Sequence, residues 1–167
     1  MNVQLPVAPR GRMTRPALAA ATAITAVAVG GMLLTDLGSW YASLRQPPWK
    51  PPDTWFGPAW TLIYTLVAVA AVRAWLAARR SGERRCLLWS FGLNACLNLA
   101  WSGLFFKLRR PDWALAEVTL FWLSIVALVL VTRRTDILAA WLLVPYLVWV
   151  AFASVLNLAV VRLNAPF

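Results

Sequence analysis

The run WALAEVTLFWLSIVALVLVT, from Trp113 to Thr132, contains one residue able to carry a charge, Glu117. A helix of that length, rising about 1.5 Å per residue, crosses the hydrocarbon core of a bilayer, which asks for about 20 predominantly apolar residues. Four more runs share its character: Ala17–Thr35, Gly57–Ala78, Cys86–Phe106 and Ile137–Leu163. Short clusters of charge separate them. The pattern predicts an all-α polytopic membrane protein, a bundle of five transmembrane helices. Residues 1–16 read as a basic N-terminal tail and 17–164 as a single transmembrane domain, with Asp36–Phe56 as the one substantial loop. Composition agrees: 61% of the 167 residues are hydrophobic and 13% charged, where a soluble chain carries about a quarter charged. Function must therefore live in the bundle and that loop.

The net charge of +10 raises the question of nucleic acid, but the basic residues sit at span ends, as topology signals do, and no nucleic-acid partner is expected. Arg10, Arg12, Arg15, Arg79, Arg80, Arg84, Arg85, Arg133 and Arg134 fall on one side of the membrane. Arg45, Lys50, Lys107, Arg109, Arg110 and Arg162 fall on the other. This modest bias puts the N-terminus in the cytoplasm, with the loop and the C-terminus outside. The first apolar run exceeds the 7–15 residues of a signal-peptide core, so it is expected to be retained. A preference for Arg over Lys hints at a GC-rich bacterial gene, and hence a bacterial cell membrane.

Absences narrow the chemistry. The chain has no His, so the usual nucleophile–His pair and the usual proximal haem ligand are missing. Glu117 and Asp112 alone make no metal cluster, and no phosphate-cradling glycine loop occurs. No cofactor is required and no metal site is expected. Cys86 and Cys96 share one helix about 15 Å apart, too far to bridge, and read as small apolar fillers.

Eleven tryptophans are the unusual feature. Trp40, Trp55, Trp75, Trp89, Trp113 and Trp141 lie near span ends and suit the interfacial aromatic belt. Trp101, Trp122 and Trp149 sit deeper. Helical spacing places Trp60, Tyr64 and Ala68 on one face of the second span, and Asn94, Asn98 and Trp101 on one face of the third, with Phe105 a turn on. Tyr146, Trp149, Ala153 and Asn157 share a face of the fifth. Asn within a lipid span must face protein, a partner or a cavity. Two readings follow: the Asn residues join helix to helix, or the stripes converge on an aromatic-walled pocket for a flat ligand. Gly92, Cys96 and Ala100 form a small-residue ridge on a different face of the third span, suited to close helix packing and to a homodimer.

The loop carries Gln46-Pro47-Pro48-Trp49-Lys50-Pro51-Pro52. Residues before proline are pushed toward extended geometry, so this segment reads as a stiff strap able to serve as a lid, or as a loop merely anchored in the headgroups. Pro145 inside the fifth span predicts a kink, and Arg73 is near enough to its span end to snorkel.

These residues carry a resemblance. Trp49-Lys50-Pro51-Pro52, then Trp55-Phe56-Gly57-Pro58-Ala59-Trp60-Thr61 with Tyr64, resembles the loop and second helix of the tryptophan-rich sensory protein/translocator protein (TspO/MBR) family. Leu97-Asn98-Leu99-Ala100-Trp101-Ser102 with Phe105-Phe106, and Leu142 to Trp149 with Ala151-Phe152-Ala153 and Leu156-Asn157, continue it in order. The likeness runs from about Trp40 to Asn164, and the first span matches only as an apolar helix. The resemblance implies a five-helix bundle, often a homodimer, that binds porphyrins such as protoporphyrin IX beneath the first loop. Matched by position, the ligand residues would be Trp49, Trp60, Tyr64, Asn94, Asn98, Trp101, Tyr146, Trp149 and Ala153. Asn94 stands where the family carries Gln, and the loop Trp after the proline pair comes one place later, at Trp55. Leu158 replaces the Tyr of the family's cholesterol-type motif, so cholesterol recognition by that pattern is not expected. Three functions remain in view: a porphyrin-binding receptor or transporter acting in tetrapyrrole transport, sensing or stress regulation; a light- and oxygen-dependent porphyrin-degrading enzyme using Trp60 and Trp149; and a structural membrane adaptor.

Overall fold

The computed structural model describes residues 11–167, and among these there is no strand. Long helices account for all five apolar runs: α1 (Gly11–Leu34), α3 (Phe56–Ala77), α4 (Ser81–Ser102), α5 (Pro111–Thr132) and α7 (Val144–Asn164). Two short helices complete the set, α2 (Ser39–Ser43) in the loop and α6 (Ile137–Leu142) before α7. The tail assigned to residues 1–16 lies mostly outside the described residues, but its described part, 11–16, is already helical, with Pro16 inside α1. Four segments are long and apolar enough to cross a bilayer: Met13–Leu34, Asp53–Ala77, Pro111–Thr132 and Ile137–Asn164. The remaining helix, α4, is equally long, but Glu83, Arg84 and Arg85 in its first turns and Asn94 and Asn98 at its middle dilute its apolar character. This is an integral membrane protein.

The helices close a ring in which α1 packs on α3, α3 on α6 and α7, α7 on α5, α5 on α4, and α4 back on α1. The buried positions explain that order. On α3 they are Ile63, Val67, Ala70 and Ala74; on α5 they are Ala114, Val118, Phe121, Ile125, Leu128 and Thr132. Alternating steps of four and three keep one seam facing the bundle, and the opposite face is left to lipid, where Leu120, Leu123 and Leu130 are exposed. Gly30 brings α1 close to α4, since a Cβ there would meet the Leu99 side chain at 3.1 Å.

The predicted kink is present and complete. Helix α6 ends at Leu142, Leu143 donates to Ala140 O in a tighter turn, and α7 restarts with Pro145 in its first turn, where its missing N–H costs nothing. Asp136 caps α6 by accepting from Ala139 N at 3.0 Å, and its second oxygen pairs with Arg73 at 2.9 Å. Arg73 therefore reaches a carboxylate on the neighbouring helix rather than snorkelling alone. An ion pair between residues 63 positions apart gives no periodic signal.

Helix α4 also ends in a way that periodicity does not reveal. Residues Gly103–Lys107 form a π turn closed by Leu108 N to Gly103 O at 2.9 Å, and Arg110 N reaches Leu104 O at 3.0 Å. Arg109 then adopts a φ of 54°, a left-handed conformation uncommon for a non-glycine residue, which stops the helix. Its guanidinium sits 5.9 Å from the Trp40 ring centroid. At the other end of α4, Glu83 accepts from Arg79 N at 2.8 Å and Arg80 N at 3.1 Å.

Those bonds, from Arg80 first and then Arg79, hold the Glu83 carboxyl below its usual range. A carboxyl depressed in the folded state contributes stability above its ordinary value, and that contribution is lost as pH falls through the depressed one. Acidification from neutral pH through that depressed value is therefore expected to lower the protection of the Arg79 and Arg80 amides, read as hydrogen exchange relative to the intrinsic rate at each pH. Glu83→Gln should abolish that pH dependence. Equal pH dependence in the variant would reject the cap.

Candidate ligand-binding site

Beneath the loop lies a cavity of about 520 Å³ bounded by α1, α3, α4 and α7, within the range of small-molecule sites. Two aromatic walls form it. On one side Trp149 packs against Phe56 (ring centroids 5.6 Å apart), Phe152 (5.5 Å) and Trp60 (6.4 Å), and Trp60 continues to Tyr64 (5.2 Å). On the other, Trp101 stacks on Phe105 at 5.3 Å and Phe105 meets Phe106 at 4.7 Å. The π turn makes the second wall possible. Adjacent residues on an α-helix point about 100° apart, and the wider turn lets Phe105 and Phe106 both line the cavity.

The loop closes the top as a packed strap. Trp40 meets Phe105 at 6.2 Å, Tyr41 meets Phe106 at 5.8 Å, and Trp49 meets Phe152 at 6.1 Å. Asn164 clasps it from the end of α7: its Oδ1 accepts from Arg45 N at 2.8 Å, and its Nδ2 donates to Arg45 O at 2.9 Å. Two hydrogen bonds to one residue fix that point of the chain in both position and orientation. The strap also contains α2, which its extended proline segment does not foreshadow.

The floor is a polar relay between helices. Tyr64 donates to Asn98 Oδ1 at 3.1 Å, and Asn98 Nδ2 donates to the Tyr146 hydroxyl at 3.3 Å. Tyr146 donates to Asn94 Oδ1 at 3.1 Å, and Asn94 Nδ2 donates to Ser124 at 2.9 Å. Asn94 and Asn98 are both buried. The two readings of these asparagines therefore coincide at Asn98, which joins α4 to α3 and α7 and also faces the cavity. Asn157, oriented so that both its groups are satisfied, donates to Pro111 O and accepts from Leu115 N, each at 3.1 Å, tying α7 to the start of α5.

Of the nine residues picked out in the sequence, Trp60, Tyr64, Asn98, Trp101, Trp149 and Ala153 line this cavity. Three do not. Trp49 lies outside against Phe152 and is 48% exposed. Asn94 and Tyr146, themselves members of the relay, line a second cavity on its other side. Phe56, Phe106, Gln46 and Asp53 line the first cavity without having been singled out. Phe56 and Phe106 stand in the quoted motifs but outside the nine, whereas nothing in the spacing marks Gln46 or Asp53. Two polar atoms at this site are buried and unpartnered, Trp149 Nε1 and Gln46 Nε2. Both are donors, and each awaits an acceptor. In α5, both carboxylate oxygens of Glu117 are also buried without a partner; Glu117 lines neither cavity.

Lys50, the cation of the loop's Trp49-Lys50-Pro51-Pro52 motif, is already engaged. Its Nζ pairs with Asp53 Oδ1, which also accepts from Tyr41 at 2.9 Å. Burial draws the Lys50 ammonium down, but the hydrogen bonds to Asp53 and Tyr41 outweigh it and hold the group above its usual value. The charge at the cavity mouth is thus neutralised, with Asp53 itself in the lining. Asp53→Asn should strengthen binding of a dicarboxylate ligand by about 1 kcal/mol at low salt, and less at high salt. Unchanged affinity would place the carboxylates away from Lys50.

The belt assignment fits Trp55, Trp89, Trp113 and Trp141, which are 68%, 75%, 51% and 65% exposed. Trp40 instead packs inward on Phe105. Trp122, deeper, donates to Leu147 O at 3.3 Å, joining α5 to α7. Cys86 and Cys96 are exposed on the outside of the bundle rather than filling it.

The sequence model of the TspO/MBR family matches residues 17–163. The chain belongs to the TspO/MBR family. It is 37% identical over 127 residues to the tryptophan-rich protein TspO of Chlorobaculum tepidum, covering 75% of this chain and 80% of that one. It is 36% identical over 135 residues to the tryptophan-rich sensory protein of Cereibacter sphaeroides, covering 81% and 82%. With the translocator protein of Bos taurus it shares 35% identity over 146 residues, covering 78% and 85%. The family match takes in both aromatic walls, the relay and the strap, so the site is built from family sequence rather than from an appended segment.

Proposed function

We propose that this TspO/MBR protein is a receptor- or transporter-like membrane protein that binds protoporphyrin IX and related flat apolar ligands in the cavity beneath the loop, in a tetrapyrrole transport, sensing or stress role. The observation that carries this reading is the pair of facing aromatic walls, Phe56–Trp60–Trp149 and Trp101–Phe105–Phe106, around about 520 Å³. Such walls suit the two faces of a planar ring. The names of the relatives, sensory protein and translocator, favour the same class.

A light-dependent, porphyrin-degrading activity is the second reading, favoured by one observation: Trp60 and Trp149 sit 6.4 Å apart, edge to face, on the same wall. One experiment separates the readings. Purified protein in mild detergent is titrated with protoporphyrin IX while tryptophan fluorescence is followed, then illuminated in air. Saturable quenching with pigment stable to light supports the binder, and quenching followed by a defined product supports the enzyme. Absence of saturable quenching removes both and leaves a structural adaptor. A homodimer is part of the proposal, because Gly92, Cys96 and Ala100 all face outward on α4. Ala100→Leu should convert it to monomer, and an unchanged dimer would move the interface elsewhere.

A further inference from the structure

The second cavity, about 530 Å³, lies on the far side of the Tyr64–Asn98–Tyr146 relay, between the first half of α1, the second half of α3 and the first half of α4. Its character differs from that of the first. Aliphatic residues predominate along its length, among them Ala19, Ala23, Ile24, Val67 and Leu87, with Trp75 and Phe91 between them, and polar groups lie only at the two ends. The inner end is the relay, and the outer end carries Arg15. Trp75 lines the same cavity, and Arg84 stacks over its ring at 5.3 Å, a cation–π contact that holds the guanidinium near the rim. Among the described residues neither arginine is in an ion pair.

Dimensions identify the occupant. Along α1 the lining runs from Arg15 to Val27, twelve helical rises or about 18 Å. One leaflet of a bilayer is about 15 Å of hydrocarbon. The cavity is thus about one leaflet deep, apolar along its length and cationic at its mouth. The mouth also stands at the membrane side where Arg79, Arg80 and Arg85 cluster, and basic residues at such a surface attract anionic headgroups. We propose that this cavity is a lipid site, holding one acyl chain of an anionic phospholipid of the adjoining leaflet with its phosphate at Arg15 and Arg84. Predominantly aliphatic walls accommodate a flexible chain. Guanidinium groups match phosphate oxygens in a way that a zwitterionic headgroup, with its own cation, exploits less well.

The site is independent of porphyrin binding and can be tested apart from it. The full chain is reconstituted in detergent with phosphatidylglycerol and phosphatidylcholine in equal amounts, and lipid retention is read by native mass spectrometry. One phosphatidylglycerol per chain, held in preference to phosphatidylcholine, is expected. The double variant Arg15→Gln, Arg84→Gln should lower that preference by about tenfold, and Ala71→Phe, which projects a ring from α3 into the cavity, should abolish retention. Protoporphyrin quenching should be unchanged in the arginine variant. Three results would overturn the proposal: equal retention of both lipids, a preference that survives loss of both arginines, or loss of lipid retention on dimerisation, which would give the cavity to a second copy of the chain.

Discussion

Trp149→Ala is expected to weaken protoporphyrin IX binding by about 2–3 kcal/mol, read as a rightward shift of the quenching curve. The indole touches Phe56, Trp60 and Phe152, so its removal takes the centre out of one wall, and truncation of a central aromatic anchor is the costliest kind of loss at a binding site. It also removes the unpartnered Nε1 donor. Trp149→Phe separates the two contributions, because it keeps a ring in the wall while deleting the donor; recovery of most of the affinity would assign the effect to stacking. Trp113→Ala serves as control, since Trp113 is on the outer surface, 51% exposed, and should leave affinity unchanged. Trp149→Ala protein that keeps its helical circular dichroism and binds like the parent would show that the ligand does not use this wall.

The second large effect is expected at Asn98. Asn98→Leu leaves the Tyr64 hydroxyl without its acceptor and the Tyr146 hydroxyl without its donor. A buried polar group deprived of its partner costs about 1–3 kcal/mol, and a relay of four hydrogen bonds loses more than one bond when its hub is removed. Thermal unfolding in detergent should therefore drop clearly, and porphyrin affinity should fall with it, because Asn98 also lines the cavity. The double variant Asn98→Leu, Tyr64→Phe removes the one orphaned hydroxyl, while Tyr146 keeps its bond to Asn94, and should recover much of the stability. Stability that returns without affinity would assign Asn98 a direct part in binding. Stability that never falls in the single variant would mean the relay contributes little to the fold.

Comparison of α4 and α5 shows how far each level of description reaches. In α5 the seam Ala114, Val118, Phe121, Ile125, Leu128 and Thr132 repeats with helical spacing, and a lipid-facing helix must satisfy its backbone internally whatever surrounds it. Such information is local, so the positions of the long helices, the membrane-spanning character of four of them and the break before Pro145 were legible in the chain, as were the stripes holding Trp60, Asn98 and Trp149. The ordered tryptophan and proline motifs were enough to indicate the family. Other features depend on which helices become neighbours. Arg73 pairs with Asp136, Lys50 is neutralised by Asp53, Asn94 and Tyr146 turn to the second cavity, and Asn164 clasps Arg45 across 119 positions. The π turn that swings Phe105 and Phe106 into one wall breaks the very period on which a stripe is read. Side-chain spacing along one helix fixes a face, but a cavity is the space left between faces. Its walls, floor and free donors exist only once the ring of helices has closed.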